Sequence, residues 1–231
     1  MAVQICLCVL AVLTTALFIF VRVTKGGAMG ILTKTLASFC FVLYGVFSFT
    51  QITWFNAGSV FVIMGLVCGL IGDIVLDLKY VYKQENDIYL NAGMLAFSIG
   101  HIFYFAGTVL FSYETINLLL PILISVGAAL LLTPVTIFGG KKMGLDFGKF
   151  TWQSIGYSFL LNFMTVFTIY LSCISLDFIV LGVGMALFLL SDLVLSMQYF
   201  GGKVDNKFLT TINHATYYAA QILIATFLFM F

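Results

Sequence analysis

Charge is what this 231-residue sequence has least of: Asp, Glu, Lys and Arg make up 8% of it, ten bases against nine acids. A soluble domain carries roughly 25% charged residues because its surface must be solvated, so water is excluded as the main solvent. Disorder is excluded too, since 62% of the residues are hydrophobic. A formal net charge of +1 offers no basic face to a phosphate backbone, which excludes nucleic acid as a partner. The sequence has only two histidines. It contains neither H-E-x-x-H nor G-x-S-x-G, and no glycine-rich phosphate loop. The five cysteines (Cys6, Cys8, Cys40, Cys68 and Cys173) lie in apolar stretches without the paired spacing of a zinc site or a disulfide framework. They read as small core or lipid-facing residues.

What is abundant is apolar sequence in continuous runs, the pattern of membrane helices and not of the alternating strands of a barrel. Polar interruptions divide the chain into eight runs, at about 2–21, 31–50, 55–78, 89–112, 115–138, 151–172, 177–199 and 208–230. The expected fold is an all-α integral membrane protein, one domain over 1–231, built as a bundle of eight transmembrane helices. The first run lacks a charged leader and a small-residue cleavage site, so it reads as a retained span. Both prolines, Pro121 and Pro134, fall in the fifth, where neighbouring helices can satisfy the freed carbonyls.

All ten bases collect on one side of such a bundle. Arg22, Lys25 and Lys34 surround the first loop, Lys79 and Lys83 the third, Lys141, Lys142 and Lys149 the fifth, and Lys203 and Lys207 the seventh. The loops near Gln51, Tyr113 and Ser175 carry none. The positive-inside rule then makes the odd loops cytoplasmic and both termini non-cytoplasmic in a multi-pass membrane protein.

The third run ends Asp73-Ile74-Val75-Leu76-Asp77-Leu78-Lys79-Tyr80 and the seventh Asp192-Leu193-Val194-Leu195-Ser196-Met197-Gln198-Tyr199. Asp, Val, Leu and Tyr recur in register four spans apart, as a 4+4 internal repeat about an axis along the membrane normal would place them. Asp73 and Asp192 then lie at matched depth, one to two turns inside the cytoplasmic end. An acid at a helix centre costs about 2.5–3.5 kcal/mol even on lenient insertion scales, so such residues usually face a polar cavity or a partner. Asp77, one turn further out, reads as interfacial.

Other polar groups share this layer. Asn91, Ser98 and His101 follow one another on the fourth span beside a seam of Gly93, Gly100 and Gly107, suited to close packing. Asn213, His214, Tyr217 and Gln221 climb the eighth. The hairpins of spans three with four and seven with eight would bring both acids, the histidines and several amides together in the cytoplasmic half. Simple interhelical hydrogen bonding is the plain alternative for each, weakest for Asp73 and Asp192 because Asn would do that job more cheaply. Lys34, Lys79 and Lys83 are first of all topology signals, with Lys34 placed to hold a lipid phosphate. Asp73, Asp192 and His101 could between them ligate one metal.

The combination of Gly72-Asp73, then Gly93, Phe97, Gly100-His101 and Tyr104, then Gly184, Phe188 and Ser191-Asp192, then Tyr217-Tyr218-Ala219-Ala220-Gln221 resembles the YhhN family of eight-span membrane proteins, which includes lysoplasmalogenases. The resemblance runs from about Lys34 to the C-terminus, with Thr35 standing where the family often has proline. It implies hydrolysis of the 1-alkenyl ether of a lysoplasmalogen to a fatty aldehyde and a glycerophosphoethanolamine or glycerophosphocholine.

The residues make chemical sense of that reaction. Protonating the β-carbon of a vinyl ether creates an oxocarbenium ion, water adds, and the hemiacetal collapses to aldehyde and alcohol. One acid and one base suffice, as in glycosidases, and no cofactor or metal is required. Asp73 and Asp192 are the candidate pair, roles unassigned, with His101 orienting water or tuning the nearer acid. Lys34, Asn91, Tyr104, Asn213, Tyr217 and Gln221 are the candidate substrate contacts. The expected partners are the bilayer and an alkenyl lysophospholipid that reaches the site laterally from the cytoplasmic leaflet. A proton-coupled transporter or lipid carrier, and a metal-dependent lipid hydrolase, would use the same Asp and His residues.

Overall fold

The computed structural model describes residues 2–50, 56–203 and 206–230, the side chain of Lys83 excepted. The loop at Gln51, the expected start of the third span at Phe55 and the Lys83 side chain lie outside the described residues. Eight long helices follow in order: α1 (Ala2–Thr24), α2 (Gly27–Thr50), α3 (Ala57–Leu78), α4 (Asn86–Ser112), α5 (Leu119–Lys142), α6 (Thr151–Ile174), α7 (Ile179–Tyr199) and α8 (Lys207–Phe227). Single 3₁₀ turns precede α4, α6 and α7, and no strand occurs among the described residues.

The helices fall on the eight apolar runs to within about one turn. The fifth is displaced most: Asn117 Oδ1 accepts the Leu119 N–H at 3.1 Å and starts α5 late, and the helix then runs on through Gly139 and Gly140 to Lys142. Pro121 sits in its first turn, where a missing N–H costs nothing. Among the described residues seven helices, α1 to α7, are long and apolar enough to cross a membrane. At 21 residues α8 is about 31 Å long, the thickness of a bilayer core. It is less apolar than the others because Asn213, Tyr217 and Gln221 are turned into the bundle and buried.

α3 lies along α4 and α7 along α8, while α8 also touches α1, α2 and α3. The glycine seam explains the closeness of α3 and α4. A Cβ at Gly107 would stand 2.8 Å from the Gly58 carbonyl oxygen, and one at Gly100 would stand 3.3 Å from the Gly65 carbonyl oxygen. Small residues let the backbones approach where the lipid supplies no hydrophobic drive. One apolar core that includes Phe41, Leu66, Phe167, Leu181 and Tyr218 fills the interior. The antiparallel order brings the C-terminal ends of α3 and α7 to the same end of the bundle as the N-terminal ends of α2, α6 and α8, and the polar layer is built there.

Candidate active site

Lys34 on α2 and Asp73 and Asp77 on α3 form the centre of the layer, at 3%, 2% and 2% exposure. Lys34 Nζ lies 3.0 Å from Asp73 Oδ1 and 3.2 Å from Asp77 Oδ1. Asp77 also pairs with Arg22 of α1. Asp73 Oδ2 accepts two further hydrogen bonds, from Ser38 Oγ at 2.6 Å and from the Tyr217 hydroxyl at 2.8 Å. Ser38 lies one turn beyond Lys34, so both reach the same carboxylate from one face of α2. Both Asp73 oxygens therefore have partners, as a buried carboxyl group requires.

Two sequence-based expectations change here. Asp77 is not interfacial: Arg22 and Lys34 hold it inside. Lys34 does not stand free for a lipid phosphate, because two carboxylates take up its ammonium. Of the ten bases on this side, Arg22, Lys34 and Lys79 are buried or nearly so and serve the bundle's interior. Arg22 stacks on Tyr80 at 4.7 Å, and the Lys79 ammonium sits over the Tyr199 ring. At the end of α3, Lys79 has its pKa pushed well below that of an ordinary lysine, first by burial and then by Lys34 and Arg22.

A chain of hydrogen bonds supports Asp73 from behind. The Tyr104 hydroxyl donates to Gln221 Oε1 at 2.8 Å, Gln221 Nε2 donates to the Tyr217 hydroxyl at 3.0 Å, and Tyr217 donates to Asp73. Tyr104 and Gln221 thus position Tyr217 instead of facing a cavity. Asn213 joins α8 to α7, donating to the Ser191 carbonyl at 2.8 Å while Ser191 Oγ donates back to the Asn213 carbonyl at 3.1 Å. Asn91 is exposed on the outside of α4, apart from the other candidates, because its neighbours Leu90 and Gly93 take the inward face.

Asp192 lives in different surroundings, although its motif matches that of Asp73. Its hydrogen-bond donor is the hydroxyl of Tyr157 on α6, and among the described residues no Lys or Arg lies within ion-pair distance of it. The repeat breaks where the cations are: Asp77 is matched by Ser196, and Lys79 by Gln198.

Two cavities meet at Asp192. The smaller, about 310 Å³ of empty space, also exposes Lys34, Asp73, Asn213, His214 and Tyr217. The larger, about 770 Å³ counting its open mouth, has mainly apolar walls that include Leu90, Met94, Ile137, Leu161 and Leu189. Asp192, Leu76, Phe97, Leu195 and Tyr199 line both cavities.

His101 does not join the acids. Its ring is packed edge-on against Phe188 at 4.8 Å, with Tyr157 at 5.9 Å and Tyr104 at 6.1 Å, and neither ring nitrogen has a hydrogen-bond partner. No group of three His, Cys, Asp or Glu side chains able to hold a metal occurs among the described residues, so the set Asp73, Asp192 and His101 is not assembled as a ligand cage.

A family model matches residues 29–228. The chain belongs to the YhhN family. The YhhN match contains every residue of the acid layer except Arg22, which α1 supplies from outside it. No curated protein and no solved structure matches the chain. Sequence reasoning missed Ser38, Tyr157 and Arg22 as members of the site. For Ser38 the i+4 spacing from Lys34 was a usable signal, and for Tyr157 the polar cluster Ser154, Tyr157, Ser158 in an apolar helix was another.

Proposed function

We propose that this YhhN protein is a membrane-embedded hydrolase that cleaves the vinyl ether of a lysoplasmalogen, with Asp192 as the acid and Asp73 as the charged partner. The observation that carries the reading is the position of Asp192, a carboxyl without a cation at the junction of a long apolar cavity and a compact polar one. The apolar cavity takes the alkenyl chain, and Asp192 faces the reacting carbons.

A carboxyl among apolar walls with no countercharge is cheaper to hold neutral than ionised. Asp192 therefore brings the proton to the β-carbon of the alkenyl group. The α-carbon becomes an oxocarbenium ion, stabilised across the smaller cavity by the nearby Asp192 and Asp73 carboxylates. Water adds at the α-carbon and returns a proton to Asp192. The hemiacetal then breaks its C–O bond to the glycerol, releasing a fatty aldehyde and a glycerol hydroxyl. Asp73 keeps its contacts with Lys34, Ser38 and Tyr217 throughout. The protein crosses the bilayer eight times, with the basic end cytoplasmic and both termini on the other side, so a single-chain lipid reaches the larger cavity from the cytoplasmic leaflet.

The test is aldehyde release from an alkenyl lysophospholipid by the purified protein in detergent. Asp192→Asn should lower turnover by about 10²-fold or more, since it removes the proton donor, and should leave the fold intact because Tyr157 keeps a hydrogen-bond acceptor. If wild-type protein releases no aldehyde from any alkenyl lipid, the assignment is wrong, and proton-coupled movement of lipid across vesicles becomes the reading to test. Full turnover by Asp192→Asn would sink the acid role alone.

A further inference from the structure

Ser154, on the first turns of α6, is buried at 6% exposure, lines the larger cavity, and its Oγ has no hydrogen-bond partner. That is unusual on two counts. A buried hydroxyl left unsatisfied carries its full desolvation penalty. A serine in a helix also has a ready acceptor four residues back, and Thr165, Thr168 and Ser172 of the same helix all use theirs. Four other hydroxyls of this wall are engaged. Thr136 and Ser158 bond each other at 2.8 Å, Ser196 closes on the Leu193 carbonyl at 2.8 Å, and Tyr157 holds Asp192. Ser59, also buried without a partner, lines neither cavity.

The depth of Ser154 relative to Asp192 follows from the register of α6 on α7. Thr165 Oγ1 reaches the Met185 carbonyl at 3.4 Å, and Tyr157 reaches Asp192. In that antiparallel register Ser158 is level with Asp192, and Ser154 with Ser196. Ser154 therefore stands one helical turn, about 5.4 Å, nearer the basic end than the proposed acid. Leu161 and Leu189 stand about as far on its other side, towards the middle of the bundle. Along the α6–α7 wall the lining therefore runs from Ser154 through Asp192 to Leu161 and Leu189.

We propose that Ser154 reads the free hydroxyl on the second glycerol carbon of a single-chain ether lysophospholipid; the inference rests on the lysoplasmalogen reading and names its specificity residue. In such a lipid, five bonds separate the carbon to be protonated from that hydroxyl oxygen, about 6 Å in an extended chain of ordinary bond lengths. That matches the one-turn step from Asp192 to Ser154. With the alkenyl chain directed past Leu161 and the reacting carbon at Asp192, the hydroxyl arrives at Ser154 and gives it its partner. A lipid acylated at that oxygen offers no donor there.

The experiment uses the full-length protein in detergent and two readouts. One is equilibrium binding of a non-cleavable alkyl ether lysophospholipid and of its 2-deoxy counterpart; the other is aldehyde release from the matching alkenyl pair. Wild type should prefer the hydroxylated lipid about tenfold in both, the scale of one neutral hydrogen bond made to a group otherwise unsatisfied. Ser154→Ala should lose that preference through weaker handling of the hydroxylated lipid, with the deoxy lipid unaffected, and should melt no lower than wild type because it removes an unsatisfied hydroxyl. Ser154→Thr should keep the preference.

The inference is overturned if wild type binds both lipids equally, or if Ser154→Ala keeps the wild-type ratio. A binding preference that vanishes in Ser154→Ala, without aldehyde from any lipid, would support the recognition role and refute the hydrolase reading.

Discussion

Replacing Lys34 by Met tests the electrostatic design of the site most directly, because the side-chain length is kept and only the shared cation is lost. Lys34 Nζ stands 3.0 and 3.2 Å from carboxylate oxygens of Asp73 and Asp77. At an effective dielectric of about 20, each contact carries about 5 kcal/mol of attraction before desolvation is counted. Removing one member of a buried pair typically costs about 3–5 kcal/mol, since the remaining charge is stranded. Here Asp77 keeps Arg22, and Asp73 keeps the Ser38 and Tyr217 hydroxyls, so the loss should lie near the low end, about 3 kcal/mol.

The double variant Lys34→Met with Asp73→Asn strands no charge and should recover most of that loss. A coupling of about 2 kcal/mol is expected, within the range found for residues in one network. Equilibrium unfolding in mixed detergent micelles measures Lys34→Met, Asp73→Asn and the double variant against wild type. The reasoning fails if Lys34→Met unfolds at the wild-type midpoint while only its KM for lipid rises, because that is the behaviour of a free phosphate ligand.

Two further changes separate chemistry from packing. Tyr157→Phe removes the hydroxyl on Asp192 and should lower kcat by about tenfold, the scale of one hydrogen bond to a carboxyl group, with little change in melting temperature; an unchanged kcat in the aldehyde assay would show that Tyr157 does not tune the acid. Gly107→Val adds atoms where even a Cβ would stand 2.8 Å from the Gly58 carbonyl oxygen. It should destabilise the α3–α4 hairpin by about 1–3 kcal/mol, seen as earlier unfolding in the same micelle assay, and an unaltered midpoint would count against the close approach.

The helices were legible because a bilayer imposes one simple rule, that a span be long, apolar and helical. α8 too was legible as an apolar run, although Asn213, Tyr217 and Gln221 on its buried face make it the least apolar of the eight. Asp73 and Asp192 stood out because acids are rare and costly in apolar runs. Lys34 and Arg22 were harder to read, since a base near a helix end looks the same whether it marks topology or pairs with an acid inside. His101 misled for a related reason: shared depth is not shared direction, and its ring turns into aromatic packing instead of towards the acids.

Sequence by itself determined the solvent, the helix count, the basic end of the bundle and the two acids, because each follows from residue type and spacing along one chain. Only the tertiary structure decided that these acids differ. Asp73 meets Lys34, Ser38 and Tyr217, brought from α2 and α8, whereas Asp192 meets Tyr157 from α6 in the wall of an apolar cavity. The local motifs are nearly the same, and the charge around each is set by helices far away in sequence.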